Sequence, residues 1–531
     1  MRHLLLLFSS ILNLSTGVPD PTYTQTVTGK TTTVTIREKT SNARIDPMIY
    51  GQMLEDCNDA VIYGGVVDEK GNENPKVVEM LRPLRIPVMR WPAGTAIYDY
   101  EWKKGIGPKE NRQAVNELIW GGKEYYSFGT DEFIQWCRKI GTEPYINISM
   151  GNNSLIPASL GEAVDWVEYV NGPASSQMGA WRAANGHPDP YHVKYWCIGN
   201  ENYLQAKKIH KKETAGEYAG MLDLWAKTLK TVCPDLCLLG VGYNVPWNKV
   251  VLDRCGDELD FLTLHYYMTA KIKDGQLVEP WKTLFGPARC EESLKKNIAL
   301  LKEYNTRSGR QGNPLRYSID EWNNRHRVFS GEQYAFTRKD ARRQFDVAGT
   351  AGMLNVFLRN SPYVGMANYI FPVNGHGLLK TVGNDDAYKS ANYHVFDLYR
   401  KYMGGCALSV DVKGPGRTGV RLGDLRMDGE KDMAPETLLD LCDIDCAATA
   451  AEDGSIQVAL VNRSYDQDRK VQVILPPGYK LMEAVGLQSD DVSAANTADE
   501  RDRIKPEPVK VKANALTLKP CGLVILRFRP N

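Results

Sequence analysis

The sequence predicts an α/β protein, a (β/α)8 TIM barrel with an appended C-terminal β-sandwich. Three observations carry that prediction. Between residues 46 and 403, eight short apolar runs alternate with longer segments of helical spacing. Beyond Gly404 the chain changes to short alternating strands separated by glycine, proline and polar turns. The 531 residues also exceed the ~100–200 of an ordinary domain, which leaves room for one large barrel and a partner domain.

At the start, Arg2 and His3 precede an apolar run from Leu4 to Leu14, and Ser15-Thr16-Gly17 follows. A charged region, an apolar region and small residues make 1–17 a secretory signal peptide, too short for the roughly 20 residues of a membrane span. The mature chain is therefore expected to be secreted or periplasmic, with no membrane span. Residues 18–45 contain Thr24–Arg37, where threonine and valine alternate as in a strand. Lying ahead of the barrel, this strand is expected to join the C-terminal sandwich.

Barrel strands are expected at Ile49–Glu55, Pro87–Pro92, Pro144–Met150, Val193–Glu201, Leu238–Gly242, Phe261–Tyr267, Arg316–Trp322 and Met366–Asn374. Several are apolar without alternation, as happens when both faces are covered. Thr130–Ile140 and Glu217–Val232 are helices between them, the first with apolar residues at i, i+3 and i+4. An open doubly wound sheet is the competing arrangement of these elements. The sandwich, 404–531, is read from strands at Ser455–Asn462, Lys470–Leu475, Val509–Leu516 and Leu523–Phe528. Gly414–Glu436 and Ser489–Arg503 are polar excursions from it.

Composition narrows the function. Lysine and arginine number 65 against 64 acids, a net charge of +1 without a long basic run, which argues against general nucleic-acid binding. The 27 tyrosines and 11 tryptophans suit sugar stacking as well as a large core. Eleven scattered cysteines do not form a staple framework; Cys233/Cys237 and Cys442/Cys446 either bridge or stay reduced, and neither has zinc-site spacing. No nucleophile elbow, phosphate loop or zinc-protease helix is present, and Gly105-Ile106-Gly107 lacks the third glycine of a dinucleotide site.

Active residues of barrels collect where strands end at their C-terminal edge. There the first strand carries Glu55-Asp56, the second Arg90-Trp91-Pro92, the fourth Gly199-Asn200-Glu201, the sixth His265-Tyr266-Tyr267 and the seventh Asp320-Glu321-Trp322. Two glutamates entering one mouth from opposite strands suit glycoside hydrolysis. That reaction needs an acid for the departing oxygen and a second carboxylate facing the anomeric carbon. Taken singly each residue has a plainer reading: the carboxylates as helix caps or ion-pair partners, His265 as a structural hydrogen-bonding group, Trp322 as core or as a wall under a sugar.

From about residue 45 to its C-terminus the chain resembles glycoside hydrolase family 51, the retaining α-L-arabinofuranosidases. The resemblance rests on Ile49-Tyr50-Gly51 leading to Glu55, Tyr63-Gly64-Gly65, Arg90-Trp91-Pro92-Ala93-Gly94, Trp102-Lys103-Lys104-Gly105-Ile106-Gly107-Pro108 and Trp196-Cys197-Ile198-Gly199-Asn200-Glu201. It continues through Leu264-His265-Tyr266-Tyr267, Asp320-Glu321-Trp322-Asn323 and the run from Tyr393 to Tyr399. It implies Glu201 as general acid/base and Glu321 as nucleophile. Asn200 would hold the sugar 2-hydroxyl, Glu55 other hydroxyls, and Arg90 and Tyr267 would donate to Glu321. It implies no metal or organic cofactor, an oligo- or polysaccharide substrate, and assembly into a homo-oligomer as in relatives.

The chain departs from the family at sugar-reading positions. Thr95 stands where asparagine is usual, Phe371 occupies the region of a glutamine before Val373-Asn374, and Asp56 replaces a common histidine. Two further readings follow: the same double displacement on a galactofuranoside or β-pyranoside, and a catalytically dead barrel that binds carbohydrate.

Overall fold

The computed structural model describes residues 20–38, 43–153, 159–310, 312–428 and 434–531; the expected signal peptide at 1–17 lies outside them. Eight parallel strands close a barrel: β1 (Gly51–Met53), β2 (Val88–Trp91), β3 (Glu143–Ile148), β4 (Tyr195–Ile198), β5 (Cys237–Gly240), β6 (Phe261–Lys273), β7 (Arg316–Ser330) and β8 (Val364–Ile370). Each pairs with the next, and β8 returns to β1 through Asn368 opposite Gly51. The open-sheet alternative is thereby excluded. Inside the barrel, Val88, Tyr145, Tyr195, Cys197, Cys237, Leu239, Phe261 and Met366 form one buried cluster.

The helices follow from their caps and apolar faces. In Thr130–Ile140 the buried residues include Phe133, Ile134, Trp136, Cys137 and Ile140, and Gly141 ends the helix at φ 76°. In Ala215–Val232, Thr214 and Glu217 cap each other reciprocally, which starts the helix two residues before the apolar pattern indicates. Burying each such aromatic or aliphatic side chain contributes ~1.5–3 kcal/mol, and truncating Trp136 to alanine would cost ~3–5 kcal/mol.

Two strands outrun the barrel. β6 and β7 stay paired from Phe261 with Arg316 out to Ile272 with Val328 and overhang the mouth as a ribbon. Gln333–Thr337 folds back on β7, and Met427–Asp428 from the sandwich side pairs with β6 at Tyr267 and Met268.

The sandwich has a five-stranded sheet and a six-stranded sheet. The N-terminal segment lies in the five-stranded one, as two strands instead of one. Tyr23–Val27 runs parallel to Val410–Gly414, a turn with Gly29 at φ 63° reverses the chain, and Thr32–Ile36 lies on the other side of that strand. The expected strand Val509–Leu516 is also displaced. Ala513 and Asn514 adopt φ 48° and 59°, a turn conformation, so the strand is Ala515–Leu518. A buried ion network joins sandwich to barrel: Arg359 pairs with Glu291 at 2.8 Å and with Asp445 at 3.0 Å, and Asn355 donates to Asp445 at 2.8 Å. All eleven cysteines are free, Cys233/Cys237 and Cys442/Cys446 included. Among the described residues no helix is long and apolar enough to cross a membrane.

Candidate active site

The C-terminal strand ends meet as the barrel geometry requires. A bulge in β7 decides how. Leu264 faces Ile319 but His265 faces Glu321, so Asp320 is the extra residue. Asp320 points into the barrel, Glu321 into the mouth, and Trp322 is turned outward. Asp320 is fully buried; it accepts from Tyr145 at 2.9 Å, Ser318 at 2.8 Å and Asn368 at 3.0 Å, and pairs with Arg90 Nε at 2.9 Å.

Arg90, held on β2, organises the centre. Its Nη1 reaches Glu321 Oε1 at 2.7 Å and Met53 Sδ at 3.1 Å, and its Nη2 donates to Asn200 Oδ1 at 2.7 Å. The adjacent carboxylates of Asp320 and Glu321 outweigh burial and hold the guanidinium well above its ordinary range. Tyr267 donates to the other oxygen of Glu321 at 2.5 Å. Burial and the neighbouring Glu321 push that phenol far up, so it remains a donor. Gly94 is required for this approach, because a Cβ there would lie 2.6 Å from Glu321 Oε1.

Glu201 follows Gly199 and Asn200 in a turn where its own φ is 46°, a conformation costing ~1–3 kcal/mol for a non-glycine residue. Its Oε1 lies 2.9 Å from His265 Nδ1 and accepts from Tyr203 at 3.3 Å. His265 Nδ1 is also 3.4 Å from Glu321 Oε2. One atom from each of Glu201, His265 and Glu321 falls within 4.8 Å of the others. Such a trio is a formal cation-binding set, but the Arg90 guanidinium, 2.7 Å from Glu321, opposes a cation there.

Glu55, at the end of β1, accepts at Oε1 from Gly94 N at 3.0 Å, Ala96 N at 3.2 Å and Trp120 Nε1 at 3.1 Å. Burial, and then the charge of Glu321, push its carboxyl up to about 7. Asn200 uses Oδ1 for Arg90 while its buried Nδ2 lacks a partner among the described residues. Beside the site a groove of about 1110 Å³ passes Asp56, Tyr63, Tyr125, Asn374 and Lys380, with room for more than one sugar.

The structure thus gathers Glu55, Arg90, Asn200, Glu201, His265, Tyr267 and Glu321. Thr95 sits half-buried between the two backbone donors to Glu55, its hydroxyl without a partner among the described residues. Two expectations are corrected. Trp322 is fully buried and packs on Phe357, Tyr369 and Phe396 with ring centres 5.1, 5.0 and 5.9 Å away, so it is core and no sugar wall. Phe371 is 1% exposed and lies against Gly375, so it belongs to the packing under the site.

Sequence reasoning missed Trp120 and Tyr203, and it placed Asp320 at the end of its strand without giving it a role of its own. Trp120 is 38% exposed, lies under the Arg338 guanidinium at 4.6 Å, and donates from Nε1 to Glu55. Its only sequence signal is a tryptophan before Gly121-Gly122 in a loop. Asp320 needed the bulge, and Tyr203 needed its stack on Tyr243, with ring centres 4.0 Å apart.

Comparison with known proteins agrees with this geometry. Residues 80–279 match the α-L-arabinofuranosidase 1 domain and residues 320–521 the α-L-arabinofuranosidase C-terminal domain. A probable α-L-arabinofuranosidase C of Aspergillus clavatus is 30% identical over 96% of this chain and 99% of its own. An intracellular exo-α-L-arabinofuranosidase of Bacteroides ovatus is 26% identical over 92% and 93%. The solved family 51 α-L-arabinofuranosidase of Thermotoga petrophila superposes with a TM-score of 0.79 at 28% identity, covering 94% of this chain and all of that one. The chain is a glycosidase and belongs, as a divergent member, to the α-L-arabinofuranosidases of glycoside hydrolase family 51.

Proposed function

We propose that the protein is an exported, retaining α-L-arabinofuranosidase that removes side-chain sugars from a polysaccharide by double displacement. The observation that carries this is the approach of Glu201 and Glu321 atoms to within 4.8 Å across one mouth. Retaining glycosidases keep their two carboxyl groups ~5–5.5 Å apart, and inverting ones leave ~6.5–9.5 Å for a water.

In the first step Glu321 attacks the anomeric carbon while Glu201 gives its proton to the departing glycosidic oxygen. The C–O bond to the leaving group breaks as the bond to Glu321 forms. Glu201 then takes a proton from water, whose oxygen displaces Glu321. Arg90 and Tyr267 hold the two oxygens of Glu321 and receive it again as a carboxylate. Asn200 Nδ2, without a partner among the described residues, donates to the 2-hydroxyl. Glu55 is protonated at mildly acidic pH and offers a hydroxyl-reading group of either sense. The groove past Asp56 takes the polymer.

The test is Glu321→Ala with and without azide. Turnover of an aryl α-L-arabinofuranoside is expected to vanish, and azide to restore product of inverted configuration. Unaltered activity in the variant would refute the role. Thr95, whose hydroxyl has no partner among the described residues and which lies between the two backbone donors to Glu55, favours a second reading in which the same pair acts on a galactofuranoside or β-pyranoside. An aryl-glycoside panel separates the two. Export rests on residues 2–17; the N-terminal sequence of protein recovered outside the cell checks it, and a retained Met1 in cytosol contradicts it.

A further inference from the structure

The C-terminal sandwich holds a groove of about 880 Å³ whose chemistry the catalytic site does not use. Its floor is the outer face of the five-stranded sheet. Lys470 and Gln472 point outward from Arg469–Ile474 while Val471 and Val473 go to the core, and Thr517 stands beside them on the edge strand Ala515–Leu518. The wall is the segment after Glu507–Pro508, which pairs with Tyr479–Leu487 of the other sheet and brings Lys510 and Lys512 over the floor. Lys519 closes one end.

Four lysines against the single acid Glu507 make this groove strongly cationic in a chain whose net charge is +1. Lys519 pairs at 2.8 Å with Asp490, an acid 91% exposed, while Lys470, Lys510 and Lys512 have no carboxylate within ion-pair distance among the described residues. Between the charges lie hydroxyl and amide groups, Thr31, Thr517, Gln472 and Gln488, suited to sugar hydroxyls. The lining holds no aromatic ring on which bases would stack, no arginine fork for phosphate, and no large exposed apolar wedge for a bilayer.

We infer that this groove binds a uronate-bearing polysaccharide segment, holding the enzyme on an acidic polymer while the barrel acts on side chains. The carboxylates of the uronic acids pair with Lys470, Lys510 and Lys512, and the amides and hydroxyls read the sugar hydroxyls. The binding of the acidic segment stands on the sandwich alone; only its coupling to side-chain removal rests on the proposed function.

The experiment compares retention of the full chain on immobilised polygalacturonate and on neutral arabinan across a salt series. It includes the Lys470→Glu/Lys512→Glu variant, with aryl-glycoside turnover as the control for folding and for the distant active site. Retention on polygalacturonate is expected at low salt and should fade as the Debye length shortens. The double variant should bind about tenfold more weakly, since each exposed pair is worth a factor of a few and reversal turns attraction into repulsion. Its aryl-glycoside turnover should be unchanged. The inference is overturned by absent retention, by equal retention of the variant, or by tighter binding at the same salt to DNA or to anionic vesicles. A variant with lowered turnover is replaced by Lys510→Gln, which must reproduce the weaker binding.

Discussion

Replacing Arg90 by lysine tests how much of the site depends on one guanidinium. Its fork spans three partners from two strands, Asp320 at 2.9 Å and Glu321 at 2.7 Å on β7 and Asn200 at 2.7 Å just past β4. An ammonium keeps the charge but reaches one of them well. Two contacts to ionised or strongly polarised groups are then lost, at ~1.5–3 kcal/mol each. Part of that falls on stability, since Asp320 is fully buried. The part felt at Glu321 and Asn200 falls on catalysis, through a misplaced nucleophile and an unanchored amide. A loss of ~3–4 kcal/mol there corresponds to roughly 10²–10³ in kcat/KM. The assay is kcat and KM on an aryl α-L-arabinofuranoside, with a melting curve recorded in parallel. A variant within tenfold of wild type, or one whose only defect is a lower Tm, would refute the claim that the fork sets the geometry.

Three further outcomes are expected. Glu201→Ala should retain the first step on aryl glycosides with good leaving groups and lose it on natural linkages; equal losses on both would remove Glu201 as the acid. Burial, then Glu124 and Glu117, push Asp56 up to about 8. The folded chain thus holds a proton that the unfolded chain releases, and this stability is present below about pH 4 and lost as pH rises through about 8. Asp56→Asn should therefore raise the Tm at pH 8, by an equivalent of about a few kcal/mol, and leave it little changed at pH 4; the opposite pH order would contradict the assignment. Arg359→Met leaves Glu291 buried without its guanidinium and Asp445 with only the more distant Arg463 at 3.8 Å and should cost ~3–5 kcal/mol in urea unfolding, against less than 1 if the barrel and sandwich hold together by apolar packing alone.

Much of the barrel was legible because its strands are apolar on both faces. Val193–Glu201 and Phe261–Tyr267 read as strands wherever they are placed, and the strand-end rule then brought Arg90, Glu201 and Glu321 to one mouth. What could not be read depends on contacts between distant segments. The bulge at Asp320 is a property of the pairing of β6 with β7, so the residues alone left Trp322 open between core and sugar wall. Trp120 reaches Glu55 only because a loop 65 residues away in sequence folds over β1. Thr24–Arg37 alternates like one strand, yet the turn at Gly29 splits it so that its halves flank Val410–Gly414. Around Ala513-Asn514 β-branched neighbours suggested continuity, and the left-handed backbone of those two residues broke it.

The central claim is that Glu321 forms a covalent glycosyl intermediate opposite Glu201, at a separation too small for an attacking water to stand between them. The direct measurement is the anomeric configuration, by NMR, of the methyl arabinofuranoside formed when an aryl α-L-arabinofuranoside is turned over in dilute methanol. Two displacements predict the α-methyl product. A β-methyl product, formed in a single inverting step, would contradict the mechanism and the role given to Glu321.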